Sequence, residues 1–243
     1  MPASYDLNDN SVVVIIGSGA GGGTVGSELV KRGIKVVCLE AGPRLGLNDI
    51  VNNEPEMFGK LSWLDRRIGE GYAPDGFPVW SVKGVGGTTT HWTACCPRLQ
   101  DFEFKSLSTY GQLEDCNLAD WPVTLEEMSP WYEQAEFMMG VTGTNGIERL
   151  PGSANFKVME AAARSIGYED IDTYNMAINS APRDGRPACL QLGFCNSGCA
   201  INAKWTTLFT HIPQAEQTDF YDLRPESMVT RIVTDDSGKA TAV

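Results

Sequence analysis

A cluster of glycines between two runs of β-branched residues constrains the fold of this 243-residue chain more than any other feature. The run from Val12 to Ile16 predicts a strand buried on both faces of a parallel sheet. It leads directly into a GxGxxG pattern whose glycines are Gly17, Gly19 and Gly22. A strand, a glycine turn and a helix in this order are typical of a segment that binds the pyrophosphate of a dinucleotide.

The residues after the glycine turn complete the pattern. A helix predicted from Ala20 to Arg32 would point its amino terminus at the phosphates, and a second strand is predicted from Val36 to Leu39. That strand ends in Glu40, whose carboxylate can accept hydrogen bonds from a ribose diol. We therefore predict an α/β fold with a bound dinucleotide, either NAD or FAD. The alternative is a glycine-rich turn without a ligand.

A second glycine-rich loop, at 84–93, favours FAD over NAD. It contains Gly86, Gly87 and Thr88, followed by a Thr-Thr-His-Trp-Thr run that includes His91. Glycines followed by hydroxyls, an imidazole and an indole suit a segment that lies along a long, flat cofactor. The alternative interpretation is a solvated loop with a chance histidine.

Three segments together resemble the glucose-methanol-choline (GMC) family of FAD-dependent oxidoreductases: GSGAGGG at 17–23, LEAGP at 39–43 and GVGGTTTHWTACCPR at 84–98. The last is most similar to the sugar-oxidising branch of pyranose 2-oxidases and bacterial FAD-dependent sugar dehydrogenases. The resemblance implies that His91 is the flavin attachment point, with FAD held either covalently or non-covalently, and that Thr93 lies near flavin N5. It also implies that the backbone of Val229 contacts the adenine.

Three cysteines, Cys189, Cys195 and Cys199, have the spacing C-x5-C-x3-C and are separated by glycine and small polar residues. They could surround an inorganic cluster, whereas zinc would lack an obvious fourth ligand and a disulfide would leave one thiol over. A cysteine-rich loop without a metal is the other alternative. The family resemblance implies a 3Fe-4S cluster that passes electrons from the flavin to a cytochrome or another acceptor subunit.

Charge and hydropathy argue against several other classes of function. The chain has 19 basic and 31 acidic side chains, and its net charge of −12 disfavours binding to nucleic acid or to an anionic membrane surface. No window is apolar enough to insert in a bilayer, and the polar first ten residues do not resemble a signal peptide. We therefore expect a cytoplasmic protein, with periplasmic export on a partner as the alternative.

The predicted organisation is a Rossmann-like, mostly parallel sheet with flanking helices, joined to part of a substrate and cluster region. We expect an FAD-binding core with the flavin loop at 1–120, a helical and cysteine-containing region at 121–220, and strands that return to the FAD domain at 221–243. The catalytic histidine of the family belongs to its carboxyl-terminal half, and no matching motif occurs here. We therefore expect a fragment or truncated gene product that lacks the catalytic base.

Two helices and a hairpin are also predicted. In the first helix, Thr124 and Glu127 suggest a capping box, Pro130 suits the helix start, and Trp131 marks a face of core residues. The hairpin is expected from strands at 227–233 and 239–243. The second helix is expected to bury a face that comprises Phe156, Met159, Ala163 and Ile166.

The leading functional hypothesis is an FAD-dependent dehydrogenase that oxidises a CH–OH group of a sugar or polyol by hydride transfer to flavin N5. Its electrons would leave through an iron–sulfur cluster. The alternative within the family is an oxygen-using enzyme that resembles pyranose 2-oxidase and has no cluster. A non-catalytic FAD-binding fragment and an NAD-dependent Rossmann enzyme are the alternatives of other classes.

Overall fold

A parallel sheet lies at the centre of the predicted dinucleotide unit. The computed structural model describes residues 5–6, 9–61 and 81–243, and within them the sheet has the strand order β1-β2-β3. Its strands are β1 (Val12–Ile16), β2 (Lys35–Leu39) and β3 (Tyr221–Arg224). β2 pairs with a strand on each side, so Val36 and Cys38 are fully buried. The α/β class and the parallel sheet are thus confirmed, and β3 comes from the predicted return segment. The burial predicted for both faces of β1 is wrong: β1 is an edge strand of the described sheet, and Val14 is 47% and Ile16 48% exposed.

Helix α1 (Ala20–Val30) connects β1 to β2 and ends two residues before the predicted end. Its last residue, Val30, packs with Val36 of β2 and with Ala215 of helix α7 (His211–Glu216) in one buried cluster. The close packing of α1 on β1 depends on Gly22, because a Cβ there would lie 1.9 Å from the carbonyl oxygen of Gly17. The third glycine of the motif therefore has the packing role that the pattern predicts.

The chain divides into two compact units, one formed by 1–93 with 191–243 and the other by 94–190. The first unit contains the sheet, α1, α7 and the second glycine loop, and the second contains the middle helices. These units do not coincide with the predicted segments, because the part of the chain that contains α7 packs on α1. As domain boundaries, the predicted segments 1–120, 121–220 and 221–243 stay a prediction.

Two smaller elements complete the description of the first unit. Helix α2 (Glu54–Leu61) buries Met57 and Leu61 against Ile50. The hairpin of β4 (Val233–Thr234) and β5 (Ala240–Ala242) is antiparallel and turns where the sequence predicts, although its strands are shorter than expected.

The second unit contains α3 (Asp101–Phe104), α4 (Ser106–Tyr110), α5 (Leu125–Met139) and α6 (Ala154–Ser165). The capping box of α5 is confirmed, since Glu127 N donates to Thr124 Oγ1 at 3.2 Å and Thr124 N donates to Glu127 Oε2 at 2.8 Å. The expectation for Pro130 is wrong: the cap starts the helix at Leu125, and the proline lies inside it.

The predicted burial of the two middle helices is also wrong for the described residues. Trp131 on α5 is 64% exposed, and on α6 Met159 is 68% exposed. Ile166, just after α6, is exposed as well, and none of the residues of α6 is buried. Amphipathicity indicates which face of a helix is apolar, but nothing in the described part of the chain covers these faces. None of the described helices is long and apolar enough to cross a membrane.

Candidate dinucleotide-binding site

The first glycine turn joins the carboxyl end of β1 to the amino terminus of α1. Gly17 has a φ of +86°, and its N–H donates to the carbonyl of Leu39 at 2.8 Å. Gly19 is the N-cap of α1 and offers no side chain to the first turn. The N–H groups of that turn and the positive end of the helix dipole are therefore suited to an external anion such as a pyrophosphate.

Glu40 is a buried carboxylate that ties the glycine turn to the end of β2. One of its oxygens accepts hydrogen bonds from Ser18 N at 3.0 Å and from Ser18 Oγ at 2.7 Å. The other accepts from Gly42 N at 3.0 Å. A carboxylate has about four lone-pair positions. Three donors leave room for one more, which fits the predicted hydrogen bond from a ribose hydroxyl.

The second glycine loop lies directly against the first. Gly86 N donates to Ser18 Oγ at 3.1 Å, and Gly87 approaches Gly19 so closely that a Cβ on Gly87 would lie 2.8 Å from the Gly19 Cα. Gly86 and Gly87 both have positive φ angles, of +90° and +52°. Only glycine combines these backbone angles with so close an approach. Glycine backbone from the two loops thus meets beside Glu40, which is a fitting cradle for a dinucleotide.

Thr207, in a distant part of the chain, forms hydrogen bonds with both glycine loops. Its hydroxyl lies 3.1 Å from the Ser18 carbonyl and 3.3 Å from the Gly86 carbonyl, which share its one hydrogen, and its N–H donates to Thr89 Oγ1 at 3.2 Å. No sequence pattern predicts a role for Ser18 or Thr207. Ser18 stands within the GxGxxG pattern, but no local pattern marks Thr207, which is 189 positions away from it.

The predicted flavin-attachment residue lies at the end of a short 3₁₀ turn at Gly87–Thr90. The side chain of His91 is buried, whereas Thr88 and Thr93 are exposed. Burial lowers the pKa of His91, and the nearby positive charge of Lys204 adds to this effect. The imidazole is therefore held in its neutral form around neutral pH, which is the form that can act as a nucleophile or a hydrogen-bond acceptor.

Lys204 is a third residue of the site, after Ser18 and Thr207, that no sequence pattern predicts. Its ammonium donates to the carbonyls of Thr90, Trp92 and Cys195 at 3.1, 2.7 and 2.6 Å. Burial lowers the pKa of Lys204 to about 8, and the opposing effects of Cys195 and Cys199 are smaller. The lysine thus connects the backbone on both sides of His91 to the backbone of Cys195, which is one of the predicted cluster cysteines.

A cavity next to the end of β2 is suited to the adenosine part of a dinucleotide. It has a volume of about 340 Å³, and Leu39 and Val229 are among the residues that line it. The adjoining segment runs beside Glu40, because Ser227 N donates to the Glu40 carbonyl at 2.8 Å. The structure therefore brings Val229 close to the strand end that carries the predicted ribose ligand.

The three predicted cluster cysteines are divided between the two compact units. Cys195 and Cys199 are half-buried in the first unit, in and just after a 3₁₀ turn at Cys195–Ser197. Cys189 belongs to the second unit, where its N–H donates to the carbonyl of Asn179 at 2.9 Å. Within the described ranges, no group of three or more His, Cys, Asp or Glu side chains could hold a metal ion.

Comparison with known proteins gives one match to a family model and several curated relatives. Residues 15–53 match a model described as an NAD(P)-binding Rossmann-like domain. The chain is 30% identical to the fructose dehydrogenase large subunit of Gluconobacter japonicus, over 95% of this chain and 48% of that protein. It is 31% identical to the 6'''-hydroxyparomomycin C oxidase of Streptomyces lividus, over 95% of this chain and 43% of the relative.

A third relative carries the family name itself. It is an uncharacterized GMC-type oxidoreductase of Mycobacterium tuberculosis, 28% identical over 83% of this chain and 29% of the relative. The chain spans about half the length of the two more similar relatives. The matched Rossmann model covers the glycine turn, α1, β2 and Glu40, in agreement with the geometry above. The chain belongs to the GMC-type oxidoreductases, the family that its glycine turns and THW loop indicate.

Proposed function

We propose that this chain is the FAD-binding part of an oxidoreductase that removes hydride from a CH–OH group of a sugar or polyol. The observation that carries the proposal is the contact between the two glycine turns beside buried Glu40, with the His91 loop directly after the second turn. When bound, FAD would supply the hydride acceptor, flavin N5. The sugar in the name of the fructose dehydrogenase relative supports a carbohydrate or polyol as substrate.

Each predicted site residue has a distinct task in this proposal. The residues of the first turn would bind the pyrophosphate with α1, Glu40 would bind the ribose, and the backbone of Val229 would contact the adenine. The residues of the second loop would border the flavin, with His91 as its attachment point and Thr93 near N5. These binding residues are Gly17, Gly19, Gly22, Glu40, Gly86, Gly87, Thr88, His91, Thr93 and Val229.

Two observations favour FAD over a nicotinamide dinucleotide. A Glu40 carboxylate would repel the 2′-phosphate of NADP. NAD itself would leave the buried His91 loop, to which segment 204–207 is hydrogen-bonded, without a task. An NAD-dependent Rossmann enzyme is therefore the weaker candidate, although the matched family model is named for NAD(P).

The route by which electrons leave is the second part of the proposal. We infer that they pass to an acceptor subunit or cytochrome through a 3Fe-4S cluster held by Cys189, Cys195 and Cys199. This inference rests on the cysteine spacing and the family resemblance, and the relative named as a large subunit supports a partner subunit. The competing route is direct transfer to oxygen, which the name of the paromomycin oxidase relative supports.

Anaerobic reduction of the full-length protein by sugars and polyols tests the proposed activity. Bleaching of the flavin absorbance by one of these compounds is expected. A flavin that stays oxidised with every sugar and polyol would refute the proposed reaction. Glucose, fructose and open-chain polyols form a suitable panel, with a matched alkane diol as a further member.

Analysis of the same preparation distinguishes the two electron routes and the mode of flavin binding. Iron and acid-labile sulfide, together with a bleachable shoulder in the spectrum, are expected for the cluster route. Peroxide formed without an added acceptor, in a protein free of iron, would favour the oxidase route instead. After acid precipitation, yellow colour in the pellet that is lost in His91→Asn would identify a covalent bond, and colour in the supernatant would identify non-covalent FAD.

A further inference from the structure

Lys204 is a buried ammonium without a carboxylate beside it. Its side chain is 1% exposed, and its three hydrogen bonds all go to backbone carbonyl oxygens. No Asp or Glu of the described chain lies within ion-pair distance of its Nζ. Nearly all buried charges in proteins are paired, because the transfer of an unpaired charge out of water costs several kcal/mol.

A neutral side chain of similar length would fill the same space at a lower cost. Two other hydrogen bonds join segment 204–207 to the His91 loop, from Trp92 Nε1 to the Trp205 carbonyl at 3.0 Å and from Thr207 N to Thr89 Oγ1. Neither of these two bonds reaches the Cys195 turn, which Lys204 does. The charge of Lys204 and its link to Cys195 are therefore the features that packing alone leaves unexplained.

The three carbonyls that accept from Lys204 belong to two loops, and in the proposed function both loops are part of one redox site. Thr90 and Trp92 stand on either side of His91, and Cys195 opens the short turn that leads to Cys199. The acceptors from the His91 loop are 114 and 112 positions away from Lys204 in sequence, whereas Cys195 is nine positions away. One ammonium thus fixes the backbone of both loops from a single point.

We propose that Lys204 is a positioning residue of the redox site. It holds the His91 loop against the Cys195 turn, and its positive charge stabilises the negative charge that the flavin gains on reduction. The second half of this inference rests on the proposed function. Hydride transfer adds two electrons and one proton to the flavin, so the reduced ring carries one more negative charge. A buried positive charge nearby favours that state and raises the reduction potential.

The test compares Lys204→Met with Lys204→Arg and with Lys31→Met in the full-length protein. Met keeps the length of the side chain but removes its donors and charge, and Arg keeps the charge. Lys31 lies on the surface, where it pairs with Glu28, and serves as the matched control. Hydrogen exchange measured by mass spectrometry reports on the two loops whether or not FAD is bound, and dye equilibration of the holoenzyme reports the flavin potential.

In Lys204→Met, the backbone amides of 88–93 and of 195–199 are both expected to exchange hydrogen at least about ten times faster than in the parent protein. The flavin potential is expected to become more negative in Lys204→Met and to return towards the parent value in Lys204→Arg. Unchanged exchange in both loops would overturn the positioning role. Faster exchange with an unchanged potential would overturn the electrostatic role.

Failure of the proposed function would look different. A parent protein that never binds FAD would refute that function, while the exchange experiment would still test the link between the loops. If Lys204→Met does not fold, an amine-reactive reagent applied to the native parent protein gives a separate test. Lys204 is expected to stay unmodified while Lys31 reacts, and equal reaction of the two lysines would overturn the inference.

Discussion

Replacement of Glu40 by alanine is expected to destabilise the protein strongly even when no cofactor is bound. The carboxylate accepts two bonds from Ser18 and one from Gly42, and the residue is only 6% exposed. In Glu40→Ala, two buried backbone N–H groups lose their acceptor, at a cost of about 1–3 kcal/mol each. The Ser18 hydroxyl keeps its role as acceptor for Gly86 N, so we assign it no further cost. The expected loss is therefore about 2–6 kcal/mol, a large part of the 5–15 kcal/mol typical of a folded protein.

Urea unfolding of the FAD-free protein measures this loss. The midpoint is expected to fall in Glu40→Ala while the slope of the transition stays the same, because the surface exposed on unfolding does not change. Glu28→Ala is the matched control: Glu28 forms surface ion pairs with Lys31 and Arg32, and its loss is expected to cost about 1 kcal/mol or less. Equal destabilisation by the two variants would show that Glu40 does not hold the glycine turns together.

Three further results are expected. Gly87→Ala should weaken FAD binding at least about tenfold in a fluorescence titration, because the two glycine turns must move apart; Gly59→Ala on α2, where a Cβ has open space, should leave binding unchanged. In the unfolded chain His91 takes up a proton at its usual pKa, but in the folded chain only at a lower pH, so the free energy of unfolding should decrease as the pH is lowered past about 6.5. The urea midpoint should therefore drop between about pH 7.5 and 5.5, and it should drop less in His91→Gln. Glu136→Ala should lower the thermal midpoint by an amount equivalent to about 1–3 kcal/mol, since the buried carboxylate holds Arg98 through two bonds of 2.6 and 2.7 Å; an unchanged midpoint would show that this pair contributes nothing.

The β1-turn-α1-β2 unit could be predicted because residues close together in sequence determine each of its elements. β1, the glycine turn, α1 and β2 follow each other within 28 positions, from Val12 to Leu39, and each has its own periodicity or turn residue. The same holds for the capping box at Thr124, whose partner is three residues away. The place of Glu40 at the end of β2 beside the turn follows on the same basis, whereas its role as a ribose ligand stays a prediction.

The contacts that assemble the site could not be predicted, because they join distant parts of the chain. Thr207 and Lys204 bind loops more than 110 positions before them, and nothing in their neighbourhood indicates those partners. The burial expected for Met159 failed for a related reason: a helical pattern identifies an apolar face, but it does not show whether another segment covers that face. Long-range contacts therefore decide both how the site is built and which helix faces are buried.

The absorption spectrum of the purified full-length protein tests the central claim most directly. We expect the two visible bands of oxidised flavin in stoichiometric amount or, for a preparation that has lost its cofactor, their recovery when FAD is added and not when NAD is added. A folded protein that shows no flavin bands and takes up no FAD would contradict the assignment of the two glycine turns as an FAD site.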